Sequence, residues 1–440
     1  MPDQYVERVI DLTDPNANRI HNLALEEARA RVASGTPESV LGIDGSFALV
    51  ARDGRRVRLA RSLDRPMRYF LAKQAAGPAL VVSDRIDAIH ACLAREGLAG
   101  QFHPSYTRMV PAHYVVEIEL VGCPDPSPTY ARYFTPALDT LPVDPAAIGS
   151  LYVGALAREI AKWLSAAPER EPVGVAFSGG VDSGAVFLVA YHLMRRLKLD
   201  LGRLKAFTLA AGAGEDLGQA RAFLERLGLG MFLEPIEVEP DSLEPLEAVR
   251  VVEDYKPLDV QSATMALALC RGIRRRYPDW RLLLDGDGGD ENLKDYPIEE
   301  NPELTIRSVV SNPLLYQEGW GVGRMKHSLT YSGGQSRSYS RTYAPLRLLG
   351  FDGFSPFTRP AVIEVAEAIP FSAMAGGDTA KLYAIKGDVV ARGVQALTGY
   401  AMPVFPKRRF QHGVLPAGEA TRHLPLGEAA YRSHFLSRYA

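Results

Sequence analysis

Cysteine is scarce. Cys92, Cys123 and Cys270 are the whole complement of a 440-residue chain. They lie far apart and form no C-x-x-C pair, which argues against a disulfide scaffold or a zinc ribbon and fits a reducing cytosol. Net charge is nearly absent. The 50 Lys+Arg and 52 Asp+Glu sum to −2, so nothing electrostatic favours nucleic acid or an acidic membrane surface. No apolar run approaches the roughly 20 residues that span a bilayer. The opening stretch MPDQYVERVIDL has no signal-peptide core. The Walker pattern GxxxxGK[ST] does not occur, which excludes the ordinary P-loop. The expectation is a soluble, cytoplasmic protein with neither nucleic acid nor membrane as partner. What is present is an ordinary globular mixture, 47% hydrophobic and 23% charged, long enough for two or three domains of about 150 residues.

Along the chain, residues 21–32 read as a helix, and the texture from Leu41 onward is β. Ser46–Val50 and Val57–Ala60 flank the turn signal Asp53-Gly54 and predict a hairpin. Residues 67–72, 79–83 and 109–120 read as further strands, and 86–96 as a helix. The proline-rich stretch CPDPSPTYARYFTPALDTLPVDP reads as a linker. The first domain is therefore a mostly β layer over 1–141, and 142–440 forms the second. There, helical patterns at 147–166, 217–227 and 261–277 alternate with apolar runs at 173–177, 205–210, 231–238 and 281–284. That alternation predicts an α/β fold, a parallel sheet with helices on both faces and ligands at the strands' carboxyl ends. Gly319–Gly323 and Ser332–Ser340 read as polar, glycine-rich loops.

Two loops follow apolar strands in this second domain. The first lies in VGVAFSGGVDSGA, residues 173–185. Glycines let backbone N–H groups crowd an anion, and a helix N-terminus adds partial positive charge. Ser178 and Ser183 can donate hydroxyls to phosphate oxygens. Asp182 repels bare phosphate, so its use would be a metal ion riding on the phosphates. The bland alternative is a glycine-rich turn. The second is LLLDGDGGDE, with Asp285, Asp287, Asp290 and Glu291 crowded among three glycines. Like charges so close answer a cation, unless the loop is simply a solvated turn; the EF-hand pattern is absent. Asp182 and Asp290 are the expected pair of magnesium ligands. Near the C-terminus, PVFPKRRFQHG is either a solvated basic loop or, through Lys407, a source of positive charge for phosphate.

In this order and at these distances, the three segments resemble the asparagine synthetase and β-lactam synthetase family. Its SGGxDS motif resembles Ser178–Ser183. Its S-G-E-G-A-D-E loop resembles 285–291, with Asp287 where asparagine synthetases have glutamate and β-lactam synthetases have tyrosine. Its G-x-E-x-R-x-P-F-L-D segment resembles GFDGFSPFTR, where Asp352 stands for the acid and Phe354 replaces the arginine. Its K-x-x-F resembles Lys407–Phe410. VVEDYKPLDVQSATMALAL, IDGSFALVARDGRRVRLARS, ALVVSDRIDAI and TRMVPAHYVVEI extend the resemblance over nearly the whole chain. It implies an N-terminal Ntn-like glutaminase fold, then a doubly wound ATP-pyrophosphatase domain of the adenine nucleotide α-hydrolase type with a helical C-terminal part. The family's glutaminases need a free N-terminal cysteine, whereas this sequence opens Met1-Pro2 and lacks the asparagine-glycine-glutamate segment that holds glutamine. The resemblance thus implies a degenerate first domain, as in lactam-forming members.

The implied reaction adenylates a carboxylate with ATP and Mg2+, then passes the acyl group to an amine, giving an amide or a lactam. Expected nucleotide contacts are Ser178, Gly179, Gly180, Asp182, Ser183 and Gly286, with Ala206, Phe207 and Leu209 near the adenosine. Lys407 would stabilise developing charge. An Asp287–Asp352 pair, helped by Tyr296 or Tyr343, would take the amine's proton. The partners would be a small-molecule or peptide carboxylate and an amine, and the resemblance allows a homo-oligomer. Competing readings are an ammonia-using asparagine synthetase, a sulfur- or nitrogen-inserting relative, which would want cysteine pairs and a basic RNA surface, and a non-catalytic ATP-binding protein.

Overall fold

The computed structural model describes residues 8–74, 77–120, 127–168, 170–212, 214–296, 298–300, 305–311, 334–406, 413–415, 422–424 and 427–440, with the main chain alone at 300 and 334–340. The chain divides into two compact units. Among the described residues, one comprises those up to Thr135 with Leu436–Ala440, and the other those between Pro136 and Phe435.

The first unit contains β1 (Arg8–Asp11), β2 (Arg19–Ile20), α1 (Leu25–Ser34), α2 (Pro37–Leu41), β3 (Gly45–Ser46), β4 (Ala48–Asp53), β5 (Arg56–Arg61), β6 (Arg68–Ala72), β7 (Ala79–Ser83), α3 (Ile86–Arg95), β8 (Arg108–Met109), β9 (Tyr114–Glu119) and β10 (Thr129–Arg132). Two four-stranded sheets form, in the orders β1-β7-β6-β8 and β10-β9-β5-β4. Alternation decides which residues go inward. Val57, Leu59, Val116 and Ile118 of one sheet meet Tyr69, Leu80 and Val82 of the other in a single apolar layer. The opposite face of the first sheet, Phe70 and Val81, is covered by Ile89 and Leu93 of α3. On the outer face of the second, α1 lies against β4 and β5. The result is a helix–sheet–sheet–helix sandwich. The 53–54 turn closes the β4–β5 hairpin, with Asp53 opposite Arg56. β10 is a departure from the linker reading. Thr129–Arg132 pairs antiparallel with Glu117–Tyr114, and as an edge strand it tolerates prolines close by.

The second unit holds α4 (Pro145–Ala166), β11 (Val173–Ala176), α5 (Val181–Arg196), β12 (Leu204–Ala211), α6 (Asp216–Arg226), β13 (Leu233–Val238), α7 (Pro245–Val252), α8 (Pro257–Arg276), β14 (Leu282–Leu284), α9 (Gly289–Asn292), α10 (Ile306–Val310), α11 (Gly334–Leu348), β15 (Asp352–Phe354), α12 (Pro360–Glu367), α13 (Phe371–Ala375), α14 (Thr379–Thr398) and α15 (Glu428–Ser437). Its sheet runs β13-β12-β11-β14-β15, and every pairing is parallel. Val173, Val175, Leu282 and Leu284 face a core shared with α4, α5 and α14. Phe207, Leu209 and Leu283 face the other way, into a core with Met265 and Leu269 of α8 and Leu346 of α11. Helices therefore cover both faces, as a parallel sheet requires. The loop expected at Ser332–Ser340 is helical from Gly334 onward. The polar, glycine-containing composition hid it; Tyr343 and Leu346, in its last turns, are buried. Gly319–Gly323 lies outside the described residues.

Candidate functional site

Because β11 and β14 are hydrogen-bonded neighbours, the loops that leave them emerge side by side. Glycines set how closely they meet. A Cβ on Gly286 would lie 2.9 Å from Ser183 N, and one on Gly289 would lie 2.1 Å from Asp182 Oδ1. Any side chain at either position would push the loops apart. Gly179 has φ +72°, where L-residues are strained, and a Cβ there would lie 3.0 Å from the main chain of Ala220 on α6. The loop is thus clamped between α6 and the acidic turn.

Within it, the two serines serve the backbone. Ser183 Oγ accepts from Ser178 N at 3.2 Å, and Ser178 Oγ accepts from Gly180 N at 3.3 Å. These bonds are long, so a phosphate oxygen can replace them at small cost. No side chain caps α5, which leaves its first-turn N–H groups and its dipole directed at the same point.

The acids expected to bind metal come together. Asp182 and Asp290 share one partner, the ammonium of Lys386 on α14, at 2.5 Å from Asp182 Oδ2 and in direct contact with Asp290 Oδ1. Asp295 Oδ2 lies 3.4 Å from the same nitrogen. Lys386 is buried at 5% exposure. Burial works against its charge, but the fields of Asp182, Asp290 and Asp295 outweigh it and hold its pKa well above the ordinary lysine value. Asp182 is pushed up to about 7, by burial first and by Asp290 and Asp295 next, with Lys386 opposing. Its Oδ1 is buried without a hydrogen-bond partner. Three carboxylates converge on one ammonium, and a hard divalent cation fits that set of oxygen donors. Behind the cluster, Asn292 donates to Tyr152 OH at 3.2 Å and to Phe357 O at 3.0 Å, all buried.

Asp287 stands in a second group. Thr342 of α11 donates to its Oδ2 at 2.5 Å, and its own N–H donates to Asp285 Oδ1 at 3.0 Å. Burial raises Asp287 to about 6, with Thr342 and Arg341 opposing and Glu291 and Asp290 adding to the rise. Asp285 is raised further, by burial and then by Asp287. Arg341 pairs with the buried Asp259 of α8.

The other expected residues are placed as follows. Asp352 pairs in register with Leu282, at the start of β14, and Asp287 lies on the loop that follows that strand. The charged groups that act on Asp287 include Asp290, Glu291 and Arg341. Phe207 and Leu209 are core residues. The Phe207 ring packs edge-on against Trp280 at 4.8 Å, and Ala206 is buried on the opposite face of the sheet. Tyr343 directly follows Thr342 on α11, and Tyr296 follows Asp295. Lys407 lies outside the described residues. The described chain on either side of it packs against α5 and α6, the helices that flank the phosphate loop. A Cβ on Gly184 would lie 3.7 Å from Met402 Sδ, and one on Gly413 would lie 1.8 Å from Asp216 Oδ1.

Lys386 and Arg341 were not singled out from sequence. Lys386 had a signal. It sits at i+4 from Leu382 and i−4 from Val390, inside the apolar stripe of α14, where a buried ammonium must find carboxylates. Arg341 has no such signature.

Among curated proteins the chain has no significant match. Residues 165–347 match the family model for asparagine synthase, a family of ATP-dependent amidating ligases. The matched stretch runs from the end of α4 to α11 and includes both glycine-acid loops. Asp352, Lys386 and Lys407 fall outside it. Residues 165–347 thus form an asparagine synthase-like domain.

Proposed function

We propose that the protein is an ATP-dependent, AMP- and pyrophosphate-forming amide or lactam synthetase that adenylates a carboxylate, transfers it to an amine, and does not hydrolyse glutamine. The observation that carries this reading is the meeting of Asp182 and Asp290 at the mouth of the Ser178–Ser183 loop. ATP is the substrate whose phosphates the loop cradles, through the N–H groups of α5 and the hydroxyls of Ser178 and Ser183. Asp182 and Asp290 would hold Mg2+, which when bound neutralises phosphate charge. A substrate carboxylate oxygen attacks the α-phosphorus, and pyrophosphate leaves. The amine then attacks the acyl carbon, and AMP departs with the former carboxylate oxygen. An ammonium has no lone pair, so a base must take its proton. Asp287 fits this role, being ionised above about pH 6. Lys386 supplies buried positive charge beside the phosphate loop, and the family resemblance assigns a second cation to Lys407.

The glutaminase half is read as structural. Cys92 and Cys270 are both buried, and burial pushes the Cys270 thiol up to about 12. Neither is an accessible thiolate nucleophile. The first unit's polar interior is turned on itself: Arg61 donates to Val110 O at 2.6 Å and to Arg65 O at 3.0 Å, and Asp64 accepts from Ser46 and Ser62.

One observation favours a second reading. Position 287 carries a carboxylate, closer in kind to the glutamate of asparagine synthetases than to the tyrosine of lactam synthetases. AMP release with aspartate and ammonium would select that reading.

The test uses hydroxylamine as a general amine. Incubation of the native chain with ATP, Mg2+ and a panel of carboxylic acids should give a hydroxamate and AMP in equal amounts for at least one acid. ADP and phosphate as products, or no nucleotide cleavage with any acid, would overturn the proposal.

A further inference from the structure

The Lys386 ammonium already occupies the point between Asp182 Oδ2 and Asp290 Oδ1, and this raises the question of where it goes when a metal takes those oxygens. Hard divalent ions of magnesium's size bind carboxylate oxygen at about 2.1 Å. The ammonium already holds Asp182 Oδ2 at 2.5 Å and Asp290 Oδ1 in direct contact. Two cations on the same oxygens repel strongly in a buried setting. Lys386 is on a packed helix and cannot swing to solvent. α14 is locked against α4 by a glycine crossing, in which a Cβ on Gly393 would lie 2.2 Å from Gly149 O.

A second acceptor is already in reach. Asp295 Oδ2 is 3.4 Å from Lys386 Nζ, just beyond hydrogen-bond distance. Asp295 is buried, and its own N–H donates to Asp290 O at 3.0 Å.

We propose that Asp295 is a positioning residue, the alternative seat of the Lys386 ammonium, taken when a divalent cation occupies Asp182 and Asp290. This rests on the metal–nucleotide reading above. A shift of about an ångström or less brings the ammonium into hydrogen-bond distance of Asp295. It stays buried and paired, and remains beside the phosphate loop as the second positive charge.

The test is a double-mutant cycle on Mn2+ affinity, read by electron paramagnetic resonance on the full chain. Asp295→Asn should weaken Mn2+ binding about tenfold while Lys386 is present, because the displaced ammonium loses its seat. In the Lys386→Met background the same change should alter affinity by less than about twofold. Asp295→Glu should restore most of the loss. Equal effects of Asp295→Asn in both backgrounds would reveal a simple field effect and overturn the inference. Should Lys386→Met not fold, the Lys386 15Nζ NMR signal of the native chain gives the answer. Mg2+ should move it to a new position still protected from solvent exchange, and in Asp295→Asn that protection should vanish. A signal unmoved at saturating Mg2+ overturns the inference alone. Absence of any Mn2+ binding by the native chain, with or without ATP, overturns the metal reading beneath it.

Discussion

At the scale of single residues, the site is governed by acids that burial makes reluctant to ionise. Asp287 is the clearest case, raised to about 6. As a base it works deprotonated, so kcat/KM for amide formation should fall as pH drops through about 6, and Asp287→Asn should remove that limb of the pH profile along with most of the rate. The same shift has a stability consequence. The folded-state pKa lies above the unfolded value near 3.9, so the folded chain binds this proton more tightly. Its ionisation costs nothing below about pH 4, and the destabilisation grows between 4 and 6 and is complete above that. Asp287→Asn should therefore raise stability at pH 7.5 by roughly 1–2 kcal/mol, measurable by urea unfolding, while activity is lost. No gain at pH 7.5 would mean that the carboxylate is better solvated than its surroundings imply. Asp182, Asp287 and Asp290 were legible in the sequence because carboxylates crowded among glycines after apolar strands have few structural uses. The register that sets Asp352 beside Leu282 was not, since a three-residue strand gives little sequence signal of register.

Among the elements, α14 contributes most that the motifs do not show. It brings Lys386 to the two loops, and its position depends on the crossing of Gly149 and Gly393. A Cβ on Gly149 would lie 2.3 Å from Val389 O. Backbone on both sides leaves no flexible atom to yield. Gly393→Ala should cost roughly 2–3 kcal/mol by overpacking and weaken ATP-dependent turnover beyond what the stability loss explains. Thermal unfolding beside activity at 15 °C separates the two, and an unaltered Tm would show that the helices part easily. The strands of the parallel sheet were legible as short apolar runs, because a strand buried on both faces has no polar alternation to blur. α11 was not: a serine- and glycine-containing start carries no helical periodicity.

For the whole molecule, the first unit is a four-layer sandwich whose described cysteine, Cys92, is buried on α3, and the second holds both glycine-acid loops. Glutamine should therefore yield no glutamate, and 6-diazo-5-oxo-norleucine, which alkylates glutaminase nucleophiles, should leave amide formation unchanged. Inhibition by that reagent would require a nucleophile elsewhere in the chain. The sequence shifts from β-rich to alternating texture near residue 141, and the two compact units part at Thr135 and Pro136. The layering itself was not legible, because single strands do not reveal which sheet they join. The central claim is that the second unit activates a carboxylate by attack on the α-phosphate of ATP. The most direct measurement is exchange of labelled pyrophosphate into ATP, with Mg2+ and a pool of carboxylic acids but no amine. The account predicts acid-dependent exchange in the native chain and a loss of about 100-fold or more in Asp182→Asn. Exchange that survives Asp182→Asn, or its absence with every acid, would contradict it.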